Sequence, residues 1–307
     1  MRIGLIDVDG HNFPNLALMR LSAYHKSLGD TVEWWQTDFI YYDKVYMSKI
    51  FSDAYSQEPQ TPINCGEVIK GGTGYAIKLL DGKEYFDKSV HKNLPPEIER
   101  MFPDYSIYPE FDFAVSMTSR GCPRGCSFCH VAAKEGRCAV KVADVSDFWN
   151  GQPEIRVLDP NITALKETDK RVLMRQYRET GAVIDFTQGL DIRLLNENDV
   201  DDLNGMRLRT IHFAWDNPLD ELESKFKAFA NRFRRKSNIA MVYCLVNFNS
   251  TMEQNLYRIY TLRDLGYDPY VMIYNKPSAP KEIRALQRWC NNKLIFKSCK
   301  RFEEYKG

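Results

Sequence analysis

The chain has no excess of charge of either sign: 42 Lys and Arg stand against 41 Asp and Glu. That balance excludes a global surface for polyanions. It has no apolar run approaching the length of a membrane span. The first residues, Met1-Arg2-Ile3-Gly4-Leu5-Ile6-Asp7, lack a basic flank, a long apolar core and a small-residue cleavage site. They read as a strand rather than an export signal. Cysteine is scarce, eight in 307 residues and mostly scattered. Such usage fits a reducing cytoplasm, where a close group of cysteines means metal rather than disulfides. The expected location is therefore cytoplasmic. What remains is the composition of a folded globular chain, long enough for one large domain or two ordinary ones.

The exception to the scatter is Ser119-Arg-Gly-Cys122-Pro-Arg-Gly-Cys126-Ser-Phe-Cys129-His130, with three cysteines at C-x3-C-x2-C spacing. Gly121 and Gly125 permit unusual backbone angles and Pro123 stiffens the turn. A loop of this kind can curl three soft thiolates around one centre, suited to an iron–sulfur cluster or zinc. A cubane cluster normally takes four ligands, so three leave one metal position open. Other readings of the same residues exist. Cys126-Ser-Phe-Cys129-His130 also spells the c-type haem attachment motif, a chemistry that needs export. Structural zinc wants a fourth ligand, for which His130 is adjacent and Cys138 close. Unligated loop cysteines are the bland alternative. Cys65, Cys138, Cys290 and Cys299 form no C-x-x-C pair, Cys244 lies in an apolar strand, and a second cluster requires the fold to converge them.

Along the chain, residues 2–8 read as a buried strand. A helix from Leu16 to Leu28 follows, stopped by Gly29. Further strands are expected at Thr31–Trp35, Lys44–Ser48 and Glu67–Ile69, the last running into Gly71-Gly72-Thr73-Gly74. This predicts a small parallel α/β domain with loops 7–15 and 71–75 at the carboxyl edge of its sheet. Residues 76–111 are less regular, and 95–112 read as the connection to a second domain. From Ala114 on, strand alternates with helix. Strands are expected at Ala114–Thr118, Ile155–Leu158, Val183–Thr187, Thr210–Trp215, Ile239–Val246 and Tyr270–Tyr274. Helices are expected at Glu167–Thr180, Asn196–Asn204, Leu219–Phe233, Thr251–Leu265 and Lys281–Cys290. Arg232-Phe-Arg-Arg-Lys236 closes a helix, where cations offset the dipole; nucleic-acid contact is the other reading.

The cysteine loop resembles that of radical S-adenosylmethionine (SAM) enzymes. The resemblance implies that Cys122, Cys126 and Cys129 hold a [4Fe–4S] cluster, with SAM on the fourth iron and Phe128 near its adenine. It implies a partial (β/α)6 TIM-type barrel over residues 106–307, with its chemistry at the carboxyl ends of the strands. Those ends carry Asp159, Gln188, Asp191, Arg193, Asp216, Val246 and Asn247. By the resemblance Asp159 lies near the SAM amino group, and Arg193 can fork onto its carboxylate. Gln188 or Asp191 reaches the ribose, Asp216 stands where many relatives carry glutamate, and Val246 and Asn247 face adenine. The plain alternative is that the aspartates cap helices and turns.

Residues 1–105 resemble the Rossmann-like, cobalamin-binding-type domain that precedes many radical SAM barrels. Asp9 and His11 match the first element of its fingerprint, Ser48 approximates the second, and Gly71-Gly72 match the third. Pro14 stands where the pattern has glycine. The resemblance implies a histidine able to ligate cobalt; the departure at Pro14 predicts a domain that binds no cobalamin and closes over the barrel mouth. The expected activity is reductive cleavage of SAM to a 5′-deoxyadenosyl radical for C–H activation, with flavodoxin or ferredoxin as reductant. A cobalamin-dependent radical methylase or rearrangement enzyme is the alternative within that class. A non-catalytic metal- or nucleic-acid-binding module is the alternative outside it, against which the polar strand ends argue.

Overall fold

The computed structural model describes residues 1–80, 83–234 and 239–306. The chain divides into two units. One comprises Met1–Val115, Pro123–Arg137 and Asp144–Asn150; the other comprises Ser116–Cys122, Cys138–Ala143 and Gly151–Gly307.

The first unit is built on β1 (Arg2–Asp7), α1 (Leu16–Ser27), β2 (Thr31–Trp34), β3 (Tyr42–Ser48) and β4 (Cys65–Gly71). The strands form a parallel sheet in the order β2-β1-β3-β4. Alternation along β1 buries Ile3 and Leu5 against Leu18 and Leu21 of α1. Tyr42, Val45 and Met47 of β3 form a second cluster. Asn15 starts α1 by accepting the Leu18 N–H, and Gly29, at φ +81°, follows its end. Strands β3 and β4 are both longer than their apolar runs suggest, because the edge residues Tyr42 and Cys65 also pair.

Residues 76–111 differ most from expectation. Ile77–Leu80 (β5) and Lys83–Phe86 (β6) pair antiparallel. Pro96–Glu99 forms a short helix, α2, and Tyr105–Ile107 a single 3-10 turn. The stretch from α2 onward is tied to the sheet domain. Arg20 on α1 pairs with Glu99 at 2.7 Å. Ser22 and Lys26 both donate to Asp104 at 2.6 Å. Trp34 Nε1 donates to the Ile107 carbonyl, and the Tyr108 hydroxyl to Asp7 at 2.6 Å. Another short helix, α3 (Val131–Glu135), belongs to this unit.

The second unit begins at Ser116, the last residue of β7 (Phe113–Ser116), whose carbonyl accepts the Leu158 N–H. Ser119–Arg120 (β8) and Val140–Lys141 (β9) form a two-stranded antiparallel ladder. Then come β10 (Glu154–Val157), α4 (Glu167–Glu179), β11 (Val183–Phe186), α5 (Glu197–Gly205), β12 (Arg207–Ala214) and α6 (Glu223–Arg232). The chain continues with β13 (Ala240–Val246), α7 (Met252–Asp264), β14 (Asp268–Ile273), α8 (Lys281–Asn291) and α9 (Lys293–Ser298). The sheet order is β14-β13-β12-β11-β10-β7, with β10 to β14 parallel throughout. Each strand from β10 on hands over to helix before its neighbour forms, as the βαβ pattern requires. Val246, Ile259, Val271, Leu286 and Trp289 pack as one buried cluster between strands and helices.

Helix α6 starts at Glu223 rather than Leu219. Asn217 and Asp220 hold a side-chain turn there: Asn217 Nδ2 donates to Asp220 Oδ1, and Trp215 Nε1 to the Asp220 carbonyl. Of the basic run after α6, Arg232 pairs with Asp201 and Glu197, while Arg235 and Lys236 lie outside the described residues. Among the described residues no helix is long and apolar enough to cross a membrane.

Candidate functional site

Because β10 to β14 run parallel, their carboxyl ends share one edge, and Asp159, Gln188, Asp191, Asp216 and Asn247 follow those ends in turn. Asp159 is buried and accepts from the Thr118 backbone N–H at 3.0 Å and the Thr118 hydroxyl at 2.8 Å. Burial pushes its carboxyl up to about 6, against the hydrogen bonds that favour the charged form. Beside it the Tyr177 hydroxyl sits between Ser116 and Thr118.

Arg193 is held by two carboxylates. Its Nε donates to Asp191 Oδ1 and its Nη1 to Asp220 Oδ2, each at 2.6 Å. Gln188 is exposed. Asp216 accepts the Leu245 N–H. Asn247 adopts φ +63°, a left-handed angle uncommon outside glycine, and its amide donates to the Tyr274 carbonyl. The Val246 carbonyl accepts the Tyr274 N–H. Buried Arg258 binds the same strand ends from α7, donating to the carbonyls of Trp215, Asp216 and Leu245 and to Asn255 Oδ1. Sequence reasoning missed it, since an arginine on an amphipathic helix reads as part of the solvated face.

The cysteine loop leaves β8 at Gly121, φ +83°, and turns at Gly125, φ +55°. A Cβ at Gly125 would lie 2.9 Å from the Arg137 guanidinium carbon, a contact that flexible side chain can relieve by moving, so it is the backbone angle that favours glycine there. The Cys129 N–H closes a turn onto the Cys126 carbonyl at 3.0 Å. Cys122 and Cys126 are half-buried and Cys129 exposed, and none of the three is in a disulfide. Asn161 Nδ2 points to Cys122 Sγ at 3.6 Å. Phe128 is half-buried, and His130 Nε2 lies 3.4 Å from Glu84 of β6. Three soft thiols on one glycine-turned loop fit an iron–sulfur group by their donor chemistry. Among the described residues no set of three or more His, Cys, Asp or Glu is already drawn together in metal-holding geometry. Cys244 and Cys290 are buried, and the other cysteines outside the loop are likewise not gathered.

At the carboxyl edge of the first sheet, register places Asp7 beside Ser48 and Ser48 beside Gly71. The residues expected there are brought together, each with a local partner. Asp9 accepts the N–H groups of Ile50 and Phe51 and the Ser56 hydroxyl, pinning that loop. Ser48 Oγ accepts from Asn15 Nδ2 at 2.9 Å. Gly72, at φ +103°, lets the chain pass Lys49; a Cβ would meet the Lys49 carbonyl oxygen at 2.2 Å. Exposed His11 lies edge-on to Trp34 with ring centroids 4.2 Å apart.

No family model matches the chain, and no curated protein does. Among solved structures it resembles TsrM, a radical S-adenosylmethionine methyltransferase from Kitasatospora setae, solved with cobalamin and a [4Fe–4S] cluster bound. The likeness covers 89% of this chain and 74% of that one, with TM-score 0.64 and 13% identity. Identity that low makes the likeness one of fold alone.

Proposed function

We propose that this protein is a radical SAM enzyme, with Cys122, Cys126 and Cys129 holding a [4Fe–4S] cluster. One observation carries the reading: the three-thiol loop follows the first strand of a parallel sheet whose successive carboxyl ends present polar side chains. We read residues 106–307 as the partial (β/α)6 barrel and residues 1–105 as the preceding Rossmann-like domain. When bound, such a cluster supplies the one-electron reduction that splits SAM into methionine and a 5′-deoxyadenosyl radical. The chain's own residues bind and orient. Asp159 fixes the backbone of Thr118, at the root of the loop. Arg193, steered by Asp191 and Asp220, offers a guanidinium to the SAM carboxylate. Gln188 or Asp191 serves the ribose hydroxyls, Asp216 and the Val246–Asn247 backbone line the nucleoside side, and Phe128 lies against adenine. A cytoplasmic flavodoxin or ferredoxin supplies the electron, and the substrate is a molecule with an unactivated C–H bond.

A second reading has the first unit bind cobalamin, as the structural neighbour does. We favour a cofactor-free domain, because Asp9, Ser48, Gly72 and His11 are each engaged by the fold itself. The test of the main reading is anaerobic reconstitution, then incubation with dithionite and SAM. The wild type should form 5′-deoxyadenosine, and a chain with all three loop cysteines replaced by Ala should form none. Equal yields from the two would refute the proposal.

A further inference from the structure

The second unit contains a hydrogen-bond chain that ends on a thiol. Asn161 is buried at the turn after β10, and its Nδ2 faces Cys122 Sγ at 3.6 Å. Its other amide atom, Oδ1, lies 2.6 Å from the Thr163 hydroxyl. That hydroxyl oxygen already accepts the Asp191 backbone N–H at 3.0 Å. Its own proton therefore points to Asn161 Oδ1, the nearby acceptor. An amide whose oxygen is held this way must turn its NH2 toward the sulfur. Thr163 is buried as well, so water competes poorly for either group.

We infer that Asn161 is a positioning residue that donates an N–H···S hydrogen bond to Cys122 and thereby raises the reduction potential of the cluster, with Thr163 fixing the amide. The assignment rests on the cluster reading above. Reduction adds negative charge that spreads onto the ligand sulfurs, and a donor aimed at a sulfur stabilises the reduced state more than the oxidised one. Hydrogen bonds to the sulfurs are among the factors that set such potentials, and groups behind the ligands tune the metal. Asp191, which closes the chain, also holds Arg193, so the sulfur and the proposed SAM-binding arm share one scaffold.

The experiment is a redox titration of the reconstituted cluster, followed by electron paramagnetic resonance, in wild type, Asn161→Leu and Thr163→Val. Asn161→Leu keeps the bulk and removes the donor. It should shift the reduction equilibrium about tenfold toward the oxidised form, ~59 mV more negative for a one-electron couple. Thr163→Val should shift it the same way by less, since the amide remains but loses its anchor. A merely structural asparagine would leave the potential unmoved. An unchanged potential in fully loaded Asn161→Leu overturns the assignment while leaving the cluster reading intact. If Asn161→Leu fails to load, Thr163→Val decides, and an unchanged potential there overturns it equally. A wild type that loads no iron removes both readings at once.

Discussion

Burial and hydrogen bonding pull the Asp159 carboxyl in opposite directions, and burial wins, lifting it to about 6. The sign of the consequence follows. A carboxyl raised in the folded state contributes stability below its unfolded value near 4, and that contribution is lost as pH rises through about 6. Asp159→Asn cannot titrate. Its unfolding free energy relative to wild type should therefore climb between pH 4 and pH 7, by on the order of 3 kcal/mol for such a shift. Denaturant melts at several pH values check this, and a pH-independent difference would contradict it. Arg193 makes a second prediction. Arg193→Lys replaces a planar fork with a point charge and should weaken SAM binding to the reconstituted protein by about 1.5–3 kcal/mol. Unchanged affinity would move Arg193 out of the SAM site. Both residues were noticeable in the sequence because polar residues at strand ends stand out against apolar strands. Asn161 and Thr163 were not, since their roles come from a chain of contacts closing through the Asp191 backbone.

The elements were easiest to read where apolar runs end at glycine. Gly181 and Gly266, both at positive φ, stop α4 and α7 where the sequence says they should. The β5–β6 hairpin was missed because its strands are short and largely exposed, with little apolar alternation to reveal them. Residues 105–108 read as linker because their partners are remote. The Tyr108 hydroxyl bonds Asp7, a hundred and one positions away. The Gly71-Gly72 pair was legible as a motif, while its structural cause, the close passage over Lys49, was not. Gly72→Ala should cost about 1–3 kcal/mol from the backbone angle alone, before the clash is relieved. A thermal melt of the apo protein checks this, and an unchanged midpoint would show that the loop tolerates a Cβ.

At the scale of the molecule, two parallel sheets each present a carboxyl edge, and the account gives them different tasks. The second unit carries Cys122 and the strand-end residues proposed for SAM, while Cys126 and Cys129 fall in the first. In the first, Asp9 and Ser48 at the sheet edge bond within the fold, and we propose that this edge holds no cofactor. Hydroxocobalamin added during anaerobic reconstitution should therefore be lost on desalting, from wild type and His11→Ala alike. Corrin absorbance retained by the wild type and lost or shifted in His11→Ala would reverse that assignment. The α/β class and the succession of strand and helix were legible from periodicity. The substrate is not, because the strand-end residues named here are ones proposed to serve SAM or to hold the loop.

The central claim is that Cys122, Cys126 and Cys129 hold iron. The most direct test is the metal content of the anaerobically reconstituted chain, read beside a variant with all three changed to Ala. The account predicts a brown, oxygen-sensitive wild type with about four irons per chain and a colourless variant. A colourless wild type carrying one zinc per chain after anaerobic purification would contradict it.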